Sequence, residues 1–310
     1  MAVGARAGAA ALGALAAGGL AWAAGIEVRW FTLRRFDVPV LPPGAAELRV
    51  LHLSDLHLVP SQQRKIDWVR SLVALDPHLV VTTGDNIAHD DALPALLHAY
   101  EGLLDRPGGF VLGSNDYFAP RFKNPARYLL DDAREHRPQP RPLPHREMTA
   151  VFRDAGWKDL TNRRDVVETA GTRVALVGVD DAHLDRDRFP ASTRGQDAGG
   201  TPAGVRLGVT HAPYQRVLDA MHADGADLVL AGHTHGGQLC VPGLGALTTN
   251  CDLDVGRAKG LHGWPGPRPD APDGAGSTWL HVSAGLGTSP FAPVRFACRP
   301  EASLLTLVPR

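Results

Sequence analysis

Leu48-Arg49-Val50-Leu51-His52-Leu53-Ser54-Asp55-Leu56-His57 is an apolar run that ends in a carboxylate and an imidazole. The first six residues form a short apolar stretch bounded by polar residues, which reads as a β-strand; the next four form a turn carrying Asp-x-His. The same succession recurs along the chain. Residues 79–83 (LVVTT) run into Gly84-Asp85-Asn86, and residues 109–112 (GFVL) into Gly113-Ser114-Asn115-Asp116. Val209-Thr210 leads into His211-Ala212-Pro213, and residues 228–231 (LVLA) into Gly232-His233-Thr234-His235-Gly236-Gly237. Further strands are predicted at 172–178, 205–210, 226–231, 278–283 and 303–308, with a helix over 62–74 and other helical patterns between. This alternation predicts an α/β sheet rather than an all-β sandwich.

Composition narrows the class. The 310 residues are 44% hydrophobic and 21% charged, enough to bury a large core and to exclude global disorder. Thirty-two basic and 33 acidic residues give a net charge of -1, against a protein held to nucleic acid by bulk electrostatics. Three cysteines support neither a disulfide framework nor a thiolate zinc module. Cys240 and Cys251 are expected near one another after the histidine pair, as buried thiols or, in an exported domain, as a disulfide.

Residues 7–26 carry no charge, and about 20 apolar residues suffice to cross a bilayer as a helix. The stretch reads as a signal anchor, with a cleaved secretory signal ending near Ala21-Trp22-Ala23 as the alternative. Arg29, Arg34 and Arg35 follow it, so the positive-inside rule and the short basic start point to opposite sides of the membrane. The expected organisation is a membrane or signal segment at 1–26, a linker at 27–47 and one catalytic domain at 48–310. Residues 119–147 and 262–277, rich in Pro and Gly, are expected as surface loops.

Loops at the carboxyl ends of sheet strands are where α/β proteins assemble their sites. Here they carry Asp, His and Asn, a nitrogen and oxygen donor set suited to Mn, Fe or Zn. Each cluster alone is weak, because Asp-x-His occurs by chance and Gly-Asp is usually a turn. His233-Thr-His235 among three glycines is stronger, since small neighbours let the backbone approach an ion. Together, in order and at strand ends, the clusters predict a metal site.

The blocks resemble the ordered signature of the calcineurin-like metallophosphoesterase superfamily: Asp-x-His, Gly-Asp, Gly-Asn-His-Asp/Glu, a lone His, then Gly-His-x-His. Four of the five stand intact between Asp55 and His235, and their wording (LHLSDLHL, TTGDN, THAPY, GHTHGGQ) is most similar to the bacterial membrane-associated branch. The resemblance covers roughly residues 48–308. It implies a four-layer αββα sandwich of two mixed β-sheets, here preceded by an N-terminal hydrophobic helix, with two divalent metal ions at one edge. It implies that Asp55, His57 and His235 hold the first metal, that His211 and His233 hold the second, and that Asp85 bridges both. A shared carboxylate offsets the repulsion of two close cations, and the pair would activate water for in-line attack on phosphorus.

The third block departs from the pattern. Without a gap, Ser114 stands where the family has Asn, and Asn115 where it has the catalytic His. A one-residue slip instead makes Asn115 the ligand, which is favoured because Ser is the poorer neutral ligand. Either way this block contains no histidine to protonate the leaving group, help often worth about 10²–10⁴ in rate. His52, His89 and His183 are candidates for that role. Asp180 and Asp181 are read as partners of ligating histidines or as caps, and Asn86 and Gln238 as possible contacts to ligands or substrate.

The expected activity is dimetal hydrolysis of a phosphomonoester or phosphodiester, with Asp85, Asn115 and His211 in the catalytic set. A lipid- or envelope-related substrate at the membrane is the expected partner. The alternatives are a metal-binding module weakened in catalysis and acting through partners, and, ranked lower, a nuclease.

Overall fold

Successive residues of a strand face opposite ways, and in the computed structural model both faces of the strand at residues 48–53 are buried. Leu48 and Val50 join a core that contains Val209, Leu228 and Leu230, whereas Leu51 and Leu53 join one that contains Ile66, Val69 and Leu96. A strand buried on both faces is mostly apolar and shows no polar alternation; its one fully buried polar side chain, His52, is hydrogen-bonded.

The structure describes residues 13–14, 16–121, 141–191 and 204–310. Its strands are β1 (Thr32–Leu41), β2 (Leu48–Leu53), β3 (Leu79–Thr82), β4 (Gly108–Phe110), β5 (Lys158–Asp159), β6 (Arg163–Thr169) and β7 (Thr172–Gly178). They continue with β8 (Val205–Thr210), β9 (Leu228–Ala231), β10 (Cys240–Val241), β11 (Gly245–Ala246), β12 (Gly260–Trp264), β13 (Thr278–Val282) and β14 (Glu301–Pro309). One six-stranded sheet has the order β1-β14-β2-β3-β4-β5, the other β12-β13-β9-β8-β7-β6, and β10-β11 is a separate hairpin. Both large sheets are mixed: β14 is antiparallel to β2, and β12 and β6 are antiparallel to β13 and β7.

The sheets face each other across one core, with Val81 and Leu305 on one side and Leu176 and Trp279 on the other. The outer face of the first sheet is covered by the helices Gln63–Ser71, Leu93–Ala99 and His145–Asp154. The outer face of the second is covered by Gln215–Ala223, which buries Val217, Leu218 and Met221. β2, β3 and β4 are parallel neighbours, as are β8 and β9, so their carboxyl ends fall together.

Two expectations need correction. The expected linker at 27–47 contains β1, a ten-residue strand paired in parallel with β14. Pro39 disguised it, yet a proline is tolerated at a sheet edge, where one side of the strand needs no donor. The N-terminal segment differs too. Residues 13–14 and 16–21 are helical, followed by the wider turn Trp22–Ile26, and the rest of the segment lies outside the described residues. Among the described residues no helix is long and apolar enough to cross a membrane. The chain is fastened to the domain just after this segment. Buried Glu27 accepts hydrogen bonds from the backbone N–H of Cys298 (2.6 Å) and from Trp22 Nε1 (2.8 Å). The Ala23 carbonyl accepts from Arg295 N at 3.1 Å.

The expected loop at 119–147 lies largely outside the described residues, though its end forms the helix from His145. The 262–277 loop begins within β12.

Candidate metal centre

Backbone geometry is unusual at five of the six acid and imidazole residues of the cluster, His211 being the exception. Asp55, His57, Asp85, His233 and His235 all have φ between 43° and 69°, the left-handed region that non-glycine residues avoid. Each such residue costs of order 1–3 kcal/mol, so the surrounding structure must hold them there, a concentration of strain typical of functional sites. Glycines make the close approach feasible. A Cβ on Gly113 would stand 2.3 Å from Asp85 Oδ1 and 2.6 Å from His211 Cε1, and one on Gly232 would stand 1.9 Å from Ser54 Oγ.

The turns after β2, β3, β8 and β9 bring six of the seven expected ligands into one buried cluster. His57 Nε2 lies 3.2 Å from His235 Nε2 and 3.3 Å from Asp85 Oδ2. His211 Nε2 lies 3.7 Å from Asp85 Oδ2 and 3.3 Å from His233 Nδ1, and His235 Nε2 lies 3.7 Å from Asp55 Oδ1. Two groups have donor atoms close enough to share an ion: Asp55, His57 and His235, and Asp55, Asp85 and His211.

Three of the histidines are oriented by backbone carbonyls on the side away from the cluster. His211 Nδ1 donates to Thr83 O (2.8 Å), His233 Nε2 to Asn250 O (3.0 Å) and His235 Nδ1 to Gly287 O (3.1 Å). A carbonyl can only accept, so in the neutral ring each of these bonds places the proton on that nitrogen and turns the other nitrogen's lone pair toward the cluster; longer contacts run from Asn250 Nδ2 to His233 Nε2 (3.3 Å) and from Arg295 to His235 Nδ1 (3.4 Å). Asp55 Oδ1, fully buried, has no hydrogen-bond partner among the described residues. Its other oxygen accepts from Ser54 Oγ and from the His233 N–H.

The electrostatics also call for a cation. Burial pushes the Asp55 carboxyl up to about 6. Burial pushes Asp85 upward as well, but His211, His57 and the Asn115 hydrogen bonds outweigh it and hold Asp85 well below the usual range. Burial alone would lower His211, yet Asp85, Asp181 and Asp55 raise it to about 9. Burial takes His57 down to about 4 and puts His233 and His235 well below their ordinary value. Two buried carboxylates thus face several neutral imidazoles and draw a proton onto His211, a charge that divalent ions would supply. On lone-pair direction, the orphaned Asp55 oxygen and donor type, these residues fit divalent metal ions.

Asn115, the second residue of the short helix Ser114–Tyr117, faces Asp85. Its backbone N–H and Nδ2 each donate to Asp85, to Oδ1 and Oδ2, at 2.7 Å. Asp116 is buried behind, where it accepts from the N–H groups of Asp85, Asn86 and Gly113, so it joins two loops rather than meeting substrate.

The secondary candidates separate clearly. His52 lies between the sheets, with Nδ1 2.9 Å from His281 Nδ1 and Nε2 3.0 Å from Thr83 Oγ1, and burial lowers it to about 3. It heads a chain in which Thr83 Oγ1 donates to Ser54 Oγ (2.6 Å) and Ser54 to Asp55, so it acts on the Asp55 carboxylate through two hydroxyls. His89 is half-exposed and accepts from the Asp91 N–H. His183 is the one of the three beside the cluster, its ring centred 4.6 Å from that of His233 and its Nδ1 3.1 Å from Tyr214 OH. Asp181 caps the turn Ala182–Leu184, and Asp180 accepts from Tyr117 OH and Arg186. Asn86 is spent on Thr82, Tyr100 and Asp116, and Gln238 donates to Ala292 O. None of the three cysteines forms a disulfide, and Cys240 packs with Cys298 rather than with Cys251.

Arg295 was not foreseen. Fully buried, it donates to the carbonyls of Ala284 (2.7 Å), Gly285 (3.1 Å) and Gly287 (2.6 Å). It thereby shapes the loop whose Gly287 carbonyl orients His235, and whose glycines pack on Asp55 and Leu56. The available signal was Ser283-Ala284-Gly285-Leu286-Gly287, another small-residue turn at a strand end.

Comparison with known proteins identifies the family. The profile of the Calcineurin-like phosphoesterase family matches residues 48–237. Phosphodiesterase YaeI of Escherichia coli (strain K12) is 25% identical over 291 residues, covering 91% of this chain and 90% of that protein. A Danio rerio transmembrane protein with metallophosphoesterase domain is 30% identical over 216 residues, 66% of this chain and 44% of that protein. Among solved structures, TT1561 of Thermus thermophilus aligns with a TM-score of 0.41 at 12% identity, covering 78% of this chain and 91% of its own. The chain belongs to the calcineurin-like phosphoesterases, metal-dependent hydrolases of phosphoric esters.

Proposed function

We propose that this protein hydrolyses a phosphodiester with two divalent metal ions held by Asp55, His57, Asp85, Asn115, His211, His233 and His235. The observation that carries the reading is the set of carbonyl bonds that turns three imidazole lone pairs into a cluster around Asp55 and Asp85. The metals would supply Lewis acidity toward the phosphoryl oxygens and a nucleophilic water at neutral pH. Asp85 lies between the two donor groups, 3.3 Å from His57 and 3.7 Å from His211, and is the bridging candidate. Asn115 fixes both Asp85 oxygens now and would offer its amide oxygen once its Nδ2 turns away. A diester is preferred because a relative aligned over nine-tenths of its length is named a phosphodiesterase.

His183 replaces the histidine missing from the 113–116 block as the donor to the leaving oxygen, given its place against His233. Membrane association through the uncharged residues 7–26 belongs to the same proposal, as does a lipid- or envelope-derived substrate. The altered block also motivates a second reading, a metal-binding module with weak catalysis. Metal analysis of full-length protein, with turnover of bis-p-nitrophenyl phosphate under added Mn, separates the two. Two bound metals and turnover lost in Asp85→Asn support the enzyme; two bound metals with no turnover above Asp85→Asn support the module.

A further inference from the structure

Among the described residues, the large apolar side chains that stand exposed all fall in three segments: 20–30, 239–255 and 291–296. Leu244 is 85% exposed, Leu247 58%, Ile26 51% and Phe291 50%, high values for side chains that gain by leaving water. Distant in sequence, the segments are joined in space. Leu239 pairs with Phe296 in a β-bridge, Gln238 bonds to Ala292 O, and Arg295 N bonds to Ala23 O. The β10–β11 hairpin carries Leu244 between its strands and packs Ala246 on Gly237. This apolar face therefore adjoins the turn His235–Gly237 of the metal centre.

A basic cavity opens within the same face. It has a volume of about 360 Å³ and is lined by Trp22, Arg34, Lys259, Phe296 and Arg299, with Glu27 as its acid. Glu27 is committed to Cys298 and Trp22. Arg34 shares buried Glu301, while Arg299 lies over the Trp30 ring at 3.4 Å and Lys259 Nζ reaches only Cys298 Sγ among its described polar contacts. Exposed aliphatic and aromatic tips around a cationic cavity, with indoles at the rim, match the chemistry of a lipid–water interface. Trp22 and Ile26 of this face belong to the uncharged stretch 7–26.

We infer that this face docks on an anionic phospholipid bilayer, with the Leu244 hairpin and Phe291 entering the headgroup region and a lipid phosphate seated between Lys259 and Arg299. It deepens the membrane part of the proposed function, because it sets the metal centre beside the bilayer surface.

The test uses the full-length chain with Cys251→Ser, an environment-sensitive fluorophore at Leu244→Cys, Phe291→Cys or Glu168→Cys, and vesicles of phosphatidylcholine and phosphatidylglycerol containing doxyl lipid. The label should be quenched at 244 and 291 and not at 168, which lies on the far edge strand β6. Lys259→Gln with Arg299→Gln should weaken binding to the anionic vesicles by about fivefold per charge removed and leave pure phosphatidylcholine unaffected. Equal, weak quenching at all three positions would overturn the inference. So would a two-copy mass in solution with 244 shielded before vesicles are added, which would assign the face to a second copy. Leu244→Gln with Phe291→Gln should lose lipid contact yet turn over soluble bis-p-nitrophenyl phosphate like the wild type. Absence of turnover in the wild type with quenching intact would count against the phosphoesterase mechanism and not against docking.

Discussion

Gly232→Ala places the smallest available perturbation against the metal centre. The added Cβ would sit 1.9 Å from Ser54 Oγ, 2.6 Å from Asp55 Oδ2 and 3.0 Å from Thr83 Oγ1. Ordinary contact begins near 3.4 Å, so Ser54 must retreat by roughly 1.5 Å, or β9 must move away from β2 by as much. The position is not in the left-handed region, so the effect is steric and not a backbone penalty. Ser54 is hydrogen-bonded to Asp55, and the Asp55 oxygen it holds also accepts from the His233 N–H. The displacement therefore reaches both sides of the cluster. Metal–ligand distances tolerate only about 0.2 Å, and disturbance of groups that orient ligands typically costs 10–100-fold in affinity or activity. We expect kcat/KM toward bis-p-nitrophenyl phosphate to fall at least about 100-fold, with metal lost on dialysis and a stability cost of about 1–3 kcal/mol. Metal content, steady-state kinetics and urea unfolding measure the three effects. A Gly232→Ala protein that keeps two metals and wild-type turnover would refute the reasoning.

Other substitutions probe separate parts of the site. Arg295→Met removes the donor shared by three carbonyls; Gly285 O keeps the Glu301 N–H and Gly287 O keeps His235, so Ala284 O is the acceptor left unsatisfied, at roughly 1–3 kcal/mol, and the variant should lower the unfolding midpoint and loosen metal binding. Chelator-release rates would report the loosening, and unchanged release would contradict the positioning role. His183→Ala should slow alkyl phosphodiesters by about 10²-fold or more while sparing p-nitrophenyl esters, whose leaving group needs no proton. An equal loss on both would remove His183 from that step. His52 is held neutral down to about 3, whereas the unfolded chain protonates it near 6.5. Between those values the unfolded state binds more protons, so stability falls as pH falls, by up to about 1.4 kcal/mol per pH unit from this group. His52→Gln should therefore flatten the loss of urea midpoint between pH 7 and 5; an unchanged slope would reject that origin.

What the sequence made legible was local. Each candidate ligand stands within a few residues of the strand that presents it, so β2, β3, β8 and β9 could be read together with Asp55, Asp85, His211 and His233. The predicted 172–178 and 205–210 strands coincide with β7 and β8. What stayed hidden depends on long-range pairing. β1 becomes a strand only by lying beside β14, some 270 residues away, and its Pro39 argues against it locally. His52 could serve as a catalytic candidate until His281, on the opposite sheet, consumed its ring nitrogen. Arg295 looks like a surface cation in a Pro-rich loop, and only the closing of 284–287 around it makes it internal. Cys240 follows the histidine pair in sequence, but strand geometry turns it toward Cys298 and away from Cys251.

The central claim is that Asp85 joins two metal positions formed by converging imidazoles. Metal stoichiometry of the full-length protein, wild type against Asp85→Asn, measured in parallel with diester turnover, tests it most directly. The account predicts two metals per wild-type chain, fewer in the variant, and turnover lost with them. Equal metal content in the two proteins, with equal turnover, would contradict it.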